Sequence, residues 1–149
     1  MIKVLMVCLG NICRSPLAEG ILQSKVDSTK IVVDSAGTAA YHVGNLPDER
    51  AIEVARNYGI NITGQSARKF TVIDFDTFDF IYAMDDSNYQ NILSLARNSR
   101  DEEKVQLILK VSNSTEKLNV PDPYYGGKGG FENVYKMLDE ACTIISKKL

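Results

Sequence analysis

Two reactive side chains, Cys8 and Arg14, lie close together near the start of the chain. They enclose five residues that join an apolar run to a segment opening with Ser15 and Pro16. The first amides of a helix lack intrahelical partners and carry the positive end of the helix dipole, so a loop winding into them can bind a tetrahedral dianion. A guanidinium can hold two oxygens of that dianion at once. The spacing therefore predicts a phosphate-binding loop with a cysteine at its base.

Cys8 is the expected nucleophile of this loop. A positive field favours the thiolate, which is the reactive form of cysteine, and Gly10 permits a backbone turn that other residues resist. A cysteine, five residues and an arginine also occur by chance, with the cysteine in a core and the arginine in solvent. The position between a predicted strand and a predicted helix favours the phosphate-binding interpretation. The G-x-x-x-x-G-K-[ST] loop of nucleotide hydrolases is absent.

Asp122 is the expected proton donor for a leaving oxygen. Pro121 and Pro123 flank it and restrict the backbone, so its carboxyl is held on a stiff loop. A placed acid typically contributes roughly 10²–10⁴-fold to such a reaction. Without the Cys8 loop, the same segment would be interpreted as an ordinary surface turn. Tyr124 and Tyr125 are placed to line an aromatic slot beside this acid.

The elements that position these residues alternate between strand-like and helix-like runs. The strand-like runs extend from Val4 to Cys8, from Ile31 to Val33 (leading into a turn at residues 34–37), from Phe78 to Met84 and from Val105 to Leu109. The helix-like runs open at Ser15-Pro16, extend from Asp48 to Tyr58, follow a cap at Asp86 or Ser87, and extend from about Phe131 to Lys147. This alternation predicts a parallel sheet with helices on both faces and a site beyond the carboxyl ends of the strands.

Composition excludes several classes of protein. The chain has 149 residues and a formal net charge of −2, so we expect one domain spanning residues 1–149 and no binding to nucleic acid. The longest apolar run, from Val4 to Leu9, is far shorter than the ~20 residues of a membrane span, and no secretory signal precedes it, so we expect a cytoplasmic protein without stable membrane association. Three cysteines and one histidine predict no disulfide framework and no zinc site.

Four segments together resemble the low-molecular-weight protein tyrosine phosphatases. They are residues 7–16, 34–38, 78–85 and 122–126, so the resemblance spans nearly the whole chain. It implies a single-domain α/β fold of Rossmann-like type, with a four-stranded parallel sheet and helices on both faces. It also implies hydrolysis of phosphotyrosine in proteins, and of small aryl phosphates, without metal or cofactor, by a monomer or weak dimer.

The resemblance implies a role for each site residue. Cys8 forms a phosphocysteine, Arg14 holds the equatorial oxygens, and Asp122 acts first as acid and then as base. Ser15 bonds the thiolate, and Asn11 with Ser35 behind it secures the loop backbone. The rest of the phosphate loop is Leu9, Gly10, Ile12 and Cys13. The walls that hold the substrate ring are Leu9, Ile12, Tyr41, Tyr124 and Tyr125.

Four further residues raise expectations of their own. Cys13 resembles a family cysteine that forms a reversible disulfide with Cys8, although simple packing is the alternative. Cys142 lies on an apolar helix stripe and is expected in the core. Gln65 stands where animal relatives carry a histidine that supports the loop, and Gln65 or Ser66 could replace it through a hydrogen bond. His42, the one histidine, is expected on the surface rather than as a catalytic base.

Other functions remain as alternatives, and the first two belong to proteins of the same fold. Arsenate reductases relay oxidation through two further cysteines in the middle of the chain, which this sequence lacks. Phosphoarginine phosphatases tend to carry threonine at the position of Ile12, whose apolar wall suits a phenol better. A phosphocarrier domain would not need Arg14 and Asp122, and a phosphate-binding module without catalysis would not need a nucleophile.

Overall fold

Four parallel strands form one sheet with the strand order β2-β1-β3-β4. The structure is a computed structural model that describes residues 1–39, 41–112, 118–125 and 127–149; Tyr125, Gly127 and Lys128 are described by their backbone alone. The strands are β1 (Ile2–Cys8), β2 (Ile31–Gly37), β3 (Phe80–Ala83) and β4 (Val105–Leu107). This confirms the predicted four-stranded parallel sheet.

Helices connect the strands and cover both faces of the sheet. They are α1 (Arg14–Lys25), α2 (Glu49–Asn57), α3 (Asp74–Thr77), α4 (Asp86–Leu93), α5 (Ser99–Glu103) and α6 (Gly127–Lys148). Two short 3-10 turns, Ile108–Ser112 and Pro123–Tyr125, complete the regular structure. No helix among the described residues is both long and apolar enough to cross a bilayer.

The central strand β1 is buried on both sides, which explains its unbroken apolar sequence. Its side chains alternate between two cores: Val4, Met6 and Cys8 face one, while Leu5 and Val7 face the other. The first core is completed mainly by α1 and α6, and the second by α3 and α4. Cys8 therefore ends a rigid, fully covered strand, and the loop that follows starts from a fixed point.

The predicted turn at residues 34–37 is wrong. These residues continue β2, whose parallel register pairs Asp34 with Leu5 and Gly37 with Cys8. Asp, Ser and Gly favour turns locally, but pairing with the buried central strand outweighs that preference. The longer β2 reaches the end of β1 and lies beside the loop that follows it.

The predicted caps and ends of the helices also need correction. Asp85, not Asp86 or Ser87, caps α4, because its carboxylate accepts a hydrogen bond from the amide of Asn88 at 2.8 Å. The strand predicted to end at Leu109 ends at Leu107 and continues as a 3-10 turn. The last helix begins at Gly127 rather than Phe131. The short helices α3 and α5 carry too few residues for a periodic apolar pattern, and the sequence did not predict them.

Candidate active site

The loop between β1 and α1 surrounds the sulfur of Cys8. Cys8 is 3% exposed, and its Sγ lies 3.0 Å from Oγ of Ser15 in the first turn of α1. The amide of Asn11 donates to the same sulfur at 3.3 Å. The loop thus directs a backbone N–H and a hydroxyl at the sulfur, and both stabilise negative charge there.

Asn11 holds the loop in its wound conformation. Its φ of 58° lies in the left-handed region, which asparagine tolerates better than most residues. Its side-chain amide donates to Oγ of Ser15 at 2.8 Å and to Oγ of Ser35 at 3.0 Å, while its Oδ1 accepts from the amide of Arg68 at 3.0 Å. One buried side chain therefore joins the loop to α1, to β2 and to the segment before α3.

The end of β2 supports the loop from the side. The amide of Thr38 donates to the carbonyl of Cys8, and the amide of Ala39 donates to the carbonyl of Leu9, both at 2.9 Å. Gly37 lies directly beneath, where a Cβ would stand 2.6 Å from the carbonyl oxygen of Leu9 and 3.1 Å from the amide of Asn11. Only glycine permits this close approach of the two backbones.

Arg14 is the first residue of α1, and its side chain is almost fully buried. Nη1 donates to a carboxylate oxygen of Asp85 at 2.6 Å and to the carbonyl of Val120 at 3.0 Å. The same carboxylate caps α4, so its position is fixed independently of the arginine. These contacts fix the plane of the guanidinium at the pocket and compensate its burial. Asp85 follows β3 and was not predicted as a site residue.

These groups meet in one pocket of about 210 Å³ at the carboxyl edge of the sheet. The pocket is lined by Cys8, Leu9, Gly10, Ile12, Cys13, Arg14, Tyr41, His42, Asp122 and Tyr124. Nine of these ten residues were predicted from the sequence. Of the predicted supporting residues, Asn11 belongs to the loop itself, and Ser15 in α1 and Ser35 in β2 bind its side chain. The side chain of Tyr125 is outside the described part of the chain.

Asp122 lies at the exposed mouth of the pocket. Its Oδ1 accepts a hydrogen bond from the amide of Tyr124 at 3.0 Å, which orients the carboxyl within its own turn. Tyr124 is 43% exposed and Tyr41 is 77% exposed, so aromatic rings border the opening. Buried charge at the base and exposed aromatic rings at the mouth suit a flat ring that carries a phosphate.

The sequence missed His42 as a pocket residue. Expected on the surface, it is half-buried, and its Cδ2 lies 3.0 Å from where a Cβ of Gly10 would stand. Its ring is also nearly perpendicular to the ring of Tyr41, at 77° with the centroids 6.5 Å apart. Adjacency to Tyr41 was the one available signal, because nothing in a single sequence shows which loop folds over Gly10.

Cys13 and Cys142 carry free thiols, like Cys8. Burial raises the pKa of the Cys13 thiol well above its usual range, and the nearby Asp48 and Cys8 raise it further. Cys13 is therefore a neutral thiol at physiological pH, and it lines the pocket without adding charge.

Cys142 is fully buried in the core, as predicted. Within the described residues, no group of three His, Cys, Asp or Glu side chains could hold a metal ion.

Behind the loop, Glu19 and Gln65 complete its support. Oε1 of Glu19 accepts from Oγ of Ser35 at 2.7 Å. Burial raises the pKa of Glu19 to about 7, and Asp34 raises it as well, against the opposing effects of Ser35 and Arg68. Nε2 of Gln65 donates to the carbonyl of Pro16 at 3.0 Å and so ties its segment to the first turn of α1.

Comparisons with known proteins agree with this geometry. The family model for low molecular weight phosphotyrosine protein phosphatases matches residues 3–149. A low molecular weight phosphotyrosine protein phosphatase of Schizosaccharomyces pombe is 44% identical over 142 residues, covering 92% of this chain and 90% of its own.

Solved structures show the same fold. A protein tyrosine phosphatase from Entamoeba histolytica, crystallised with Hepes in its active site, superposes with a TM-score of 0.94 at 36% identity, covering 99% of this chain and 96% of that one. A Drosophila arginine phosphatase superposes with a TM-score of 0.91 at 34% identity, covering 99% of this chain and 97% of that one.

Replacing Gly37 with alanine should displace the phosphate loop. The added Cβ would meet backbone rather than a movable side chain, so we expect a loss of about 1–3 kcal/mol in the free energy of unfolding and at least about tenfold weaker binding of inorganic phosphate. Urea unfolding and calorimetry measure the two effects. Gly64→Ala is the control, since nothing lies within 4 Å of its Cβ position. Equal behaviour of the two variants would contradict the close approach.

Replacing Glu19 with glutamine should change how stability depends on pH. Because its pKa is raised to about 7, the folded protein keeps a proton that the unfolded chain has released, and stability falls as pH rises toward 7. Glutamine has no proton to release, so Glu19→Gln removes this loss. The free energy of unfolding of the variant minus that of the parent should therefore rise with pH. The total rise should be roughly 1.4 kcal/mol for each unit by which the pKa of Glu19 differs between the folded and the unfolded chain. Urea unfolding from about pH 5 to about pH 8 tests this. The exposed Glu53→Gln serves as control, and a flat difference for Glu19→Gln would contradict the prediction.

Proposed function

Because the chain belongs to the low molecular weight phosphotyrosine protein phosphatase family and is a cysteine-dependent protein tyrosine phosphatase, we propose that Cys8, Arg14 and Asp122 carry out its reaction. The observation that supports this assignment is that all three side chains line one pocket of about 210 Å³. A nucleophile, a cation and an acid within one small pocket match the requirements of phosphoryl transfer to sulfur.

In the first step, the thiolate of Cys8 attacks phosphorus in line with the departing tyrosine oxygen. The S–P bond forms as the P–O bond breaks, and Asp122 gives its proton to that oxygen, so tyrosine leaves as the neutral phenol. Arg14 and the loop amides bind the three equatorial oxygens throughout. Asp85 keeps the guanidinium in place while this charge is redistributed.

In the second step, water hydrolyses the phosphocysteine. Asp122, now a carboxylate, takes a proton from the water as its oxygen attacks phosphorus. The S–P bond breaks, inorganic phosphate is released, and Cys8 returns to the thiolate that the Ser15 hydroxyl and the Asn11 amide stabilise. No step draws on a metal, because Arg14 and the helix terminus supply the positive charge.

The substrates are proposed to be phosphotyrosine-containing proteins, with small aryl phosphates as simpler substrates. Ile12 and Leu9 give the pocket apolar walls, and the rings of Tyr41 and Tyr124 border its mouth. These walls favour a phenyl ring over the polar, branched guanidinium of phosphoarginine. Phosphoarginine is the competing substrate because one structural neighbour is a Drosophila arginine phosphatase. Phosphoarginine hydrolysis is therefore the comparison to measure beside phosphotyrosine.

We also propose an oligomeric state and a cellular compartment for the enzyme. We propose that it acts as a monomer or a weak dimer, the state that the family resemblance implies. Three unpaired cysteines fit a reducing compartment, and we therefore assign the enzyme to the cytoplasm.

Replacing Cys8 with serine should abolish turnover while leaving phosphate binding intact. A serine hydroxyl in this position is a far weaker nucleophile than a thiolate, so kcat for phosphotyrosine should fall by at least about 10³-fold with a metal chelator present. Inorganic phosphate should still raise the Tm of the variant, because Arg14 and the loop amides remain. Cys142→Ala, which removes a buried thiol outside the pocket, is the control and should keep parental kcat. Parental turnover by Cys8→Ser would refute the assignment.

Replacing Asp122 with asparagine should slow the reaction according to the leaving group. Phenyl phosphate needs a proton on its departing oxygen, so its kcat/KM, which reports phosphoryl transfer to Cys8 and not the hydrolysis step shared by all substrates, should fall by about 10²–10³-fold. Dinitrophenolate leaves without protonation, so kcat/KM for dinitrophenyl phosphate should fall by less than about tenfold. Glu102→Gln, an exposed carboxyl on α5, controls for the change in charge. Equal losses on both esters would show that Asp122 is not the acid.

A further inference from the structure

Arg50, in the first turn of α2, lies beside the pocket without lining it. Its guanidinium is fixed on one side by Asp48: Nε donates to Oδ1 and Nη2 to Oδ2, each at 3.1 Å. This two-pronged contact sets the plane of the guanidinium as well as its position. The remaining nitrogen, Nη1, points away from Asp48 and is available to a second partner.

That second partner is the segment that carries the acid, residues 120–125, here called the acid loop. Nη1 of Arg50 donates to the carbonyl of Tyr124 at 3.1 Å, and the guanidinium lies 5.2 Å from the centroid of the Tyr124 ring. The guanidinium also lies 4.7 Å from the centroid of the Phe131 ring, which is buried near the N-terminal end of α6. Arg50 therefore holds Tyr124 by its backbone and its ring, against a fixed aromatic surface.

Tyr124 is in turn the residue that orients Asp122. Its amide donates to Oδ1 of Asp122 at 3.0 Å, so a shift of the Tyr124 backbone moves the carboxyl with it. The beginning of the acid loop is anchored separately, since Val120 donates to the carbonyl of Met84 and accepts from Arg14. Asp122 is exposed between these two attachments, one at Val120 and one at Tyr124.

The Asp48–Arg50 pair is also joined to the phosphate loop. The amide of Asp48 donates to the carbonyl of Ile12 at 2.8 Å. One connected path thus leads from the phosphate loop at Ile12, through Asp48 and Arg50, to Tyr124 and Asp122. This path spans the two parts of the site that must keep a fixed separation while a proton and a phosphoryl group move.

We propose that Arg50 is a positioning residue that sets the distance between the acid Asp122 and the phosphate loop. The proposal rests on the role of Asp122 given above. Arg50 neither lines the pocket nor donates a hydrogen bond to Asp122, so it acts through Tyr124 and Asp48. A misplacement of about 1 Å at a reacting group can lower the rate by about 10²-fold. A loss of up to this size is expected when Arg50 no longer positions Asp122. Lysine keeps the charge but lacks the planar fork, so it cannot hold Asp48 and Tyr124 together.

The first test replaces Arg50 with methionine and with lysine. For phenyl phosphate, kcat/KM should fall by about 10–100-fold in Arg50→Met, and Arg50→Lys should recover little of it. For dinitrophenyl phosphate the loss in kcat/KM should stay below about threefold, and the inhibition constant of inorganic phosphate should change by less than about threefold. Arg56→Met, which removes an exposed arginine from the last turn of the same helix, is the matched control and should match the parent. Equal losses on both esters, or weakened phosphate inhibition, would overturn the proposal.

The second test combines Arg50→Met with Asp122→Asn. If Arg50 acts through Asp122, the double variant should turn over phenyl phosphate within about twofold of Asp122→Asn alone. If the two losses multiply, Arg50 acts elsewhere and the proposal fails. Failure of the proposed function has a different signature: Asp122→Asn by itself would then lose equal activity on both esters. Thermal melts of all variants, with Tm within a few degrees of the parent, show that rates are compared between folded proteins.

Discussion

The buried side chain of Asn11 makes three hydrogen bonds, and the phosphate loop depends on them. A left-handed residue in mid-loop is strained, and a loop wound around an anion also gathers amides that repel one another when no anion is bound. Bonds from Asn11 to Ser15, to Ser35 and from the amide of Arg68 offset that strain within the fold itself. The loop is therefore formed before substrate arrives, which is what preorganised electrostatic catalysis requires.

The sheet topology explains how the other contributions reach this loop. With strand order β2-β1-β3-β4, the end of β1 lies between the ends of β2 and β3. β2 ends in Gly37, and the two residues after it supply the amides that bind the loop carbonyls. The chain leaving β3 supplies Asp85, which holds Arg14. Segments distant in sequence thus converge because parallel strands end at a common edge.

Much of the site could be predicted because its chemistry is local in sequence. The spacing of Cys8 and Arg14 between a buried strand and a helix start carries its own physical meaning, and so does the restriction of Asp122 by two prolines. Asp85 and His42 were missed because their roles depend on contacts made only in the folded chain. Residues 34–37 were wrongly predicted as a turn for the same reason, since pairing with β1 overrides their local preference.

The two reactive groups of the site are held in different ways. Cys8 is fixed by the core: it ends a strand buried on both faces, and its loop is tied to α1 and β2 by buried hydrogen bonds. Asp122 is exposed, and side chains from other elements hold its loop, Arg14 at Val120 and Arg50 at Tyr124. Changes around the nucleophile therefore affect folding and catalysis together. Changes around the acid alter the rate of proton transfer while the fold persists, so this side of the pocket is where activity can be tuned at least cost in stability.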